Sequence, residues 1–262
     1  MDDWWGGSYR RGVATASTRL TRPGDNAPPG VPRARTPRTT IGRLWASTVG
    51  KKAVMAVTGG AMFLFVIGHM AGNLKVLFGP EAFNEHPKWL RSIGEGLLGH
   101  GGFVWIARVG LLLSLVLHMT AAIQLARRAR TARPARYQHR RPVQGSYAAR
   151  TMRWGGVIIA LFLVYHLMDL TAGWLNPVGD LENPYGNVTA DFRHWYVSLT
   201  YAVAIVTLGF HIRHGVWSAL QTLGASNGAR QRVLRGVALG VAVAICAGFL
   251  AVPFSVLTGL VK

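Results

Sequence analysis

Apolar positions along this chain gather into five long runs, near 53–77, 103–126, 152–175, 195–220 and 233–260, each carrying few charges. A helix rises about 1.5 Å per residue, so roughly 20 apolar residues cross a ~30 Å hydrocarbon core. The pattern therefore predicts an all-α fold, a five-helix transmembrane bundle. Residues 1–42 are rich in Arg, Pro, Gly and Thr and show no apolar period, as expected of an arm that packs no core of its own. The expected organisation is a basic, Pro/Gly-rich arm over 1–50 and a membrane domain over 51–262. The first apolar run begins some 50 residues in, which does not suit a cleavable signal peptide. The arm lacks the amphipathic period of a transit peptide. Between runs, 78–102 predicts a short interfacial helix around 87–98, with Trp89 at headgroup depth. The pairs Asn176-Pro177 and Asn183-Pro184 read as turns.

Charge orients the bundle. Half of the residues are hydrophobic, yet the formal net charge is +19, from 29 Lys and Arg against 10 Asp and Glu. The basic residues concentrate in the arm, in the connection after the second run (Arg127 to Arg153) and in the one after the fourth (Arg230, Arg232, Arg235). The other two connections are nearly neutral or acidic, so basic and non-basic loops alternate. The positive-inside rule then puts the N-terminus in the cytoplasm and the C-terminus outside, for a multi-pass protein of the cell (inner) membrane. Topology accounts for the charge, and no nucleic-acid-binding motif accompanies it. The basic loops also suit an acidic partner or anionic lipid headgroups. Cys246 is the only cysteine. That leaves no disulfide framework, no iron–sulfur ligand set and no CxxCH for covalent haem.

Candidate chemistry lies inside the spans. His69, His118, His166 and His211 each sit well within a separate apolar run, where a polar ring is costly and marks function by default. Counting residues from the helix ends places His69 and His166 in the outer half of the bundle and His118 and His211 in the inner half. Two rings at one depth on facing helices suit bis-histidine ligation of a haem, whose six-coordinate iron carries electrons. Any one of these histidines alone is explained by a hydrogen bond to a neighbouring helix; four matched in depth fit that account poorly. His214 competes with His211 from a neighbouring face. His86, His100, His139 and His194 read as solvated loop or interface residues. Gly59, Gly60, Gly68, Gly72, Gly155, Gly156, Gly209 and Gly215 crowd the same runs, which suits close helix packing as well as a flat macrocycle.

The motifs around these residues resemble those of a known family. They are Phe-Val-Ile-Gly-His-Met at 65–70, Val-Leu-His at 116–118, Arg-Trp-Gly-Gly at 153–156, Val-Tyr-His-Leu at 164–167 and Phe-His-Ile-Arg-His-Gly-Val-Trp at 210–217. Across roughly 45–260 the chain resembles the five-helix dihaem cytochrome b anchor of succinate dehydrogenases and quinol:fumarate reductases of the menaquinone-using type, a respiratory complex that feeds the tricarboxylic acid cycle into electron transport. The resemblance implies two haem b, with His69–His166 ligating the outer one and His118–His211 the inner one. The family's Gly four residues after the fourth ligand, here Gly215, selects His211 over His214. The resemblance also implies cytoplasmic flavoprotein (FAD) and iron–sulfur subunits, membrane lipid, menaquinone beside the outer haem, and room for a higher oligomer. Some members carry a glutamate two residues before the fourth ligand; here that position is Gly209.

Charged residues near the membrane edges complete the candidate set. Arg108, Arg153 and Arg193 are candidate partners for haem propionates, since Arg pairs well with carboxylates. Arg108 stands about two turns into the second helix, where a charge costs up to ~2.5–3.5 kcal/mol at the membrane centre and less near an edge; snorkelling outward is the competing reading. Glu95 and Arg108 are the quinone-site candidates, with a solvated loop acid the plainer account of Glu95. The chain itself carries no succinate chemistry. Two other readings remain: a dihaem anchor of a different oxidoreductase, such as a hydrogenase or formate dehydrogenase, and a haem-free transporter whose histidines line a proton path.

Overall fold

The computed structural model describes residues 39–132, 145–222, 224 and 230–262; most of the arm, Arg133, Arg136, His139, Arg140 and Arg141 lie outside them. Among the described residues the elements are helical, with no strand. A short helix α1 (Thr40–Ala46) precedes α2 (Thr48–Asn73), which runs on into a 3₁₀ turn over Leu74–Phe78. Next come α3 (Pro80–Ser92), α4 (Glu95–Leu98) and α5 (Gly102–Thr131). Helix α6 (Gly145–His166) passes into a π-helical turn over Leu167–Thr171 and is followed by α7 (Pro184–Phe192), α8 (Trp195–Thr222) and α9 (Gln231–Leu257). Five of these helices are long and apolar enough to cross a membrane: α2, α5, α6, α8 and α9, each with the short turn that extends it. The 28 residues of α8 reach about 42 Å at 1.5 Å per residue. Large apolar side chains such as Leu64, Leu112, Leu161 and Phe210 are exposed along their flanks, as lipid contact requires. This is the build of a multi-pass membrane protein.

Helix ends follow local chemistry. The first span starts five residues before the expected 53, because Ser47 caps α2, its hydroxyl accepting from the Gly50 N–H at 2.8 Å. Thr39 caps α1 in the same way, so part of the expected arm is helical. Lys51 holds α1 against the bundle. Its ammonium donates to the Trp45 carbonyl and lies 5.2 Å from the Trp45 ring centre, leaving the side chain 2% exposed. Arg128 of α5 donates to the Ala46 carbonyl at 2.9 Å.

The two non-basic connections are more ordered than the sequence reading allowed. In place of one helix near 87–98 there are two. α3 begins at Pro80, whose fixed φ and missing N–H suit a first turn, and Gly94, at φ 67°, separates it from α4. Asn183-Pro184 starts a helix rather than a turn: the Asn183 side chain caps α7 and Pro184 stands in its first turn. Asn176 does hold a turn, its side-chain oxygen accepting from the Val178 and Gly179 N–H groups at 3.1 Å each. Asn84 of α3 joins the two connections, donating to Asn183 at 3.0 Å and accepting from the Tyr185 N–H at 2.9 Å.

Packing is uneven. The main buried cluster, which includes Val76, Phe83, Val188, Phe192, Tyr201, Val252 and Val256, sits where α3, α7 and the ends of α8 and α9 meet. A smaller cluster of Ile212, Ala242 and Ile245 holds α8 to α9 further along. Extensive helix contacts join α8 to α9, α2 to α5 and α6 to α8, with α2 also touching α8 and α9. The pairs α2–α6 and α5–α8 are not among them.

Glycine makes the α8–α9 contact close, since a Cβ at Gly209 would run into Cys246 Sγ. Gly209→Val is expected to destabilise the bundle by ~1–3 kcal/mol through overpacking. Gly236→Ala, in open space, should be neutral or slightly stabilising. Thermal melting of both variants in detergent checks the contrast.

Candidate functional site: paired histidines between loosely packed helices

At the end of the bundle that carries α3 and α7, His69 of α2 faces His166, the last residue of α6. Their ring centroids are 5.8 Å apart and their planes 82° to each other. Each ring is flanked by a phenylalanine one turn earlier on its own helix, Phe65 on His69 at 5.3 Å and Phe162 on His166 at 5.8 Å. Phe249 of α9 lies 5.9 Å from His69. The opposite end carries the basic connections. There His118 of α5 faces His211 of α8, centroids 6.3 Å apart at 55°. His214 instead lies edge-on to Trp217 at 5.9 Å, so of the two α8 histidines it is His211 that meets His118.

Hydrogen bonds fix the tautomer of one ring in each pair. The Tyr201 hydroxyl donates its single hydrogen to Asp169 Oδ2 at 2.8 Å. At 3.3 Å from His166 Nδ1, its oxygen therefore accepts from an Nδ1–H, and the Nε2 lone pair stays available. Thr58 does the same for His118. It donates to the Val54 carbonyl at 2.7 Å and accepts from His118 Nδ1 at 3.3 Å. His211 Nδ1 is buried with no hydrogen-bond partner.

A metal bridging two imidazoles needs ~2 Å to each nitrogen, which with about 1 Å from nitrogen to ring centre sets the centroids roughly 6 Å apart. Both pairs meet that spacing. Both also bridge helices that make no extensive contact, α2–α6 and α5–α8. The glycines divide accordingly. Gly72, Gly155 and Gly209 are packed against His86, Thr207 and Cys246. A Cβ at Gly59 would stand 3.2 Å from His118 Cε1, whereas one at Gly60, Gly68, Gly156 or Gly215 would meet nothing within 4 Å. Among the described residues no group of three or more His, Cys, Asp or Glu is placed to hold a bare metal ion. Two imidazoles apiece suit a metal that brings its own equatorial ligands, and these residues fit a haem.

The remaining candidates lie away from the pairs. Arg108 is exposed and rests over Trp105 at 5.1 Å, in the manner of an edge residue turned outward. Arg153 and Arg193 are exposed, and Glu95 is exposed 3.4 Å from His100. His86, expected to be solvated, is half-buried against Gly72, with Nδ1 buried and unpartnered and its ring stacked on Trp89 at 5.6 Å. Burial, and secondarily Lys75, holds it below the usual histidine range.

Asp169 and Asp191 are absent from the sequence-derived set. Asp169 lies in the π turn and is 0% exposed; Asp191 of α7 is 2% exposed. The two carboxyls are close neighbours, and Asp169 Oδ1 and Asp191 Oδ2 are both buried without a hydrogen-bond partner. Burial first, then its neighbour Asp169, pushes the Asp191 carboxyl up to about 8. An acid three residues past a candidate ligand, inside an apolar run, was a visible signal for Asp169. Asp191 read as loop acid, and only the fold brings it to Asp169.

No known protein family, curated protein or solved structure matches the chain.

The raised Asp191 value has a stability consequence. Between its unfolded value near 4 and about 8, the folded state binds more protons than the unfolded one, so stability falls as pH rises through that window. Melting in detergent should drop from roughly pH 5 to pH 8, and Asp191→Asn should flatten the slope.

Proposed function

We propose that this chain is the membrane-anchor cytochrome b subunit of a succinate:menaquinone oxidoreductase, conveying electrons from a cytoplasmic iron–sulfur subunit to menaquinone. The observation that carries the reading is the pair of facing imidazole couples, one near each end of the bundle. His69 and His166 would hold one haem b, His118 and His211 the other. When bound, each supplies a one-electron iron couple with no open coordination position. The chain's own part is to present two neutral imidazoles across a gap between helices, with Thr58 and Tyr201 fixing which nitrogen faces it. Phe65, Phe162 and Phe249 exclude water around the first couple. The charge pattern supports a cytoplasmic N-terminus, an outside C-terminus, and flavoprotein and iron–sulfur subunits docked on the basic end. Arg108, Arg153 and Arg193 are exposed and would be the cationic partners for headgroups or haem propionates. Quinone is assigned to the α3/α7 end, where half-buried His86 packs on Gly72, three residues past His69, and stacks on exposed Trp89.

A haem-free proton-coupled transporter is the second reading, and the Asp169–Tyr201–His166 hydrogen bonds favour it. An absorption spectrum separates the two, because only the first has a reducible b-type band. Pyridine haemochrome quantification is expected to return two haems per chain; one or none overturns the proposal.

Single substitutions should sort by pair. His69→Ala and His166→Ala remove one spectral component, and His118→Ala and His211→Ala the other. Redox titration reads this, and loss of the same component from His69→Ala and His118→Ala would contradict the pairing.

A further inference from the structure

We propose that Asp191, Asp169 and Tyr201 are positioning residues for His166: the two carboxyls hold one proton between them, and Tyr201 transmits the pull of the remaining negative charge to the imidazole. The last link rests on the function proposed above; the shared proton does not.

The groups facing this cluster come from three elements. Tyr165 and Asp169 belong to α6 and its π turn, Asp191 to α7 and Tyr201 to α8. Among the described residues no Lys or Arg is paired with either carboxyl. Two bare carboxylates side by side in a dry setting repel strongly, and the buried, partnerless Asp169 Oδ1 and Asp191 Oδ2 are relieved together by one proton held between the two groups. One proton therefore stays and one negative charge is left. Tyr201 spends its hydrogen on Asp169 Oδ2 at 2.8 Å and meets His166 Nδ1 at 3.3 Å, so the charge acts along a continuous line of hydrogen bonds. A donor bond toward an anion makes the far ring nitrogen more electron-rich. The other couple has no counterpart. Thr58 fixes the same tautomer of His118, but its hydroxyl ends on the neutral carbonyl of Val54. The π turn, a feature frequent at functional sites, is what carries Asp169 at the end of α6.

Two measurements on the full chain in its complex test this. Infrared absorption at neutral pH should show a protonated-carboxyl band in the wild type that Asp169→Asn and Asp191→Asn each remove; a band lost from neither overturns the shared proton. Redox titration follows. At unchanged haem content, Tyr201→Phe and Asp169→Asn should raise the midpoint potential of the component that His166→Ala removes. The expected size is about tenfold in the oxidised-to-reduced ratio, ~59 mV for one electron. The component that His118→Ala removes should stay in place. No shift, or an equal shift of both, overturns the link to His166. Should Tyr201→Phe fail to assemble, Asp169→Asn alone carries this readout, whereas Asp191→Asn, which leaves the charge on Asp169 bonded to Tyr201, should not raise the potential. A wild type without haem defeats the proposed function and the link to His166 together, while the infrared band still decides the proton.

Discussion

A polar group in hydrocarbon must find its partner inside the protein. That constraint shapes the chain at every scale. It makes the five long elements helical, since each satisfies its own backbone. It sends Thr120, Thr200 and Thr207 back onto the carbonyl four residues earlier. It also forces each imidazole within the spans to be bonded, paired or left as a ligand-ready nitrogen, and all of these outcomes occur within two small clusters.

The unevenness of packing gives the clusters their place. α8 and α9 form the dense part of the molecule, where Gly209 admits Cys246 and Gly248 admits Met70 from α2. α6 joins it through α8, and α5 joins chiefly through α2. Two helix pairs are thus held near each other chiefly by third parties, with no extensive contact of their own. The histidines reach between those two pairs, and Phe65, Phe162 and Phe249 make the surroundings of the His69–His166 couple apolar. The rings are consequently positioned by the scaffold rather than by each other, as a preorganised ligand set requires.

The two clusters share a tautomer but not a charge. Threonine bonded to a carbonyl is a neutral support that any apolar helix can supply from its own turn. The carboxyl pair at the other end needs three elements, a π turn and the buried α7 to enclose it, and the packing of Phe83, Val188 and Phe192 excludes the water that would otherwise screen it. The ordered α3 and α7 connections are therefore part of the site as well as covers for the helix ends.

The sequence alone determined what is local or additive. Apolar run length sets the number of spans, and a fixed rise per residue sets the depth of each histidine, so which rings share a level could be counted. Loop charge sets an expected orientation. Those quantities need no knowledge of neighbours. Tertiary structure decided the rest: that His211 rather than His214 turns to His118, that Gly60 and Gly68 face open space while Gly72 and Gly209 are packed, that Asn183-Pro184 opens a helix, and that Asp191 meets Asp169. Each of these depends on which faces of separate elements are brought together. Side-chain direction and burial are properties of that meeting, and no spacing along a single chain encodes them.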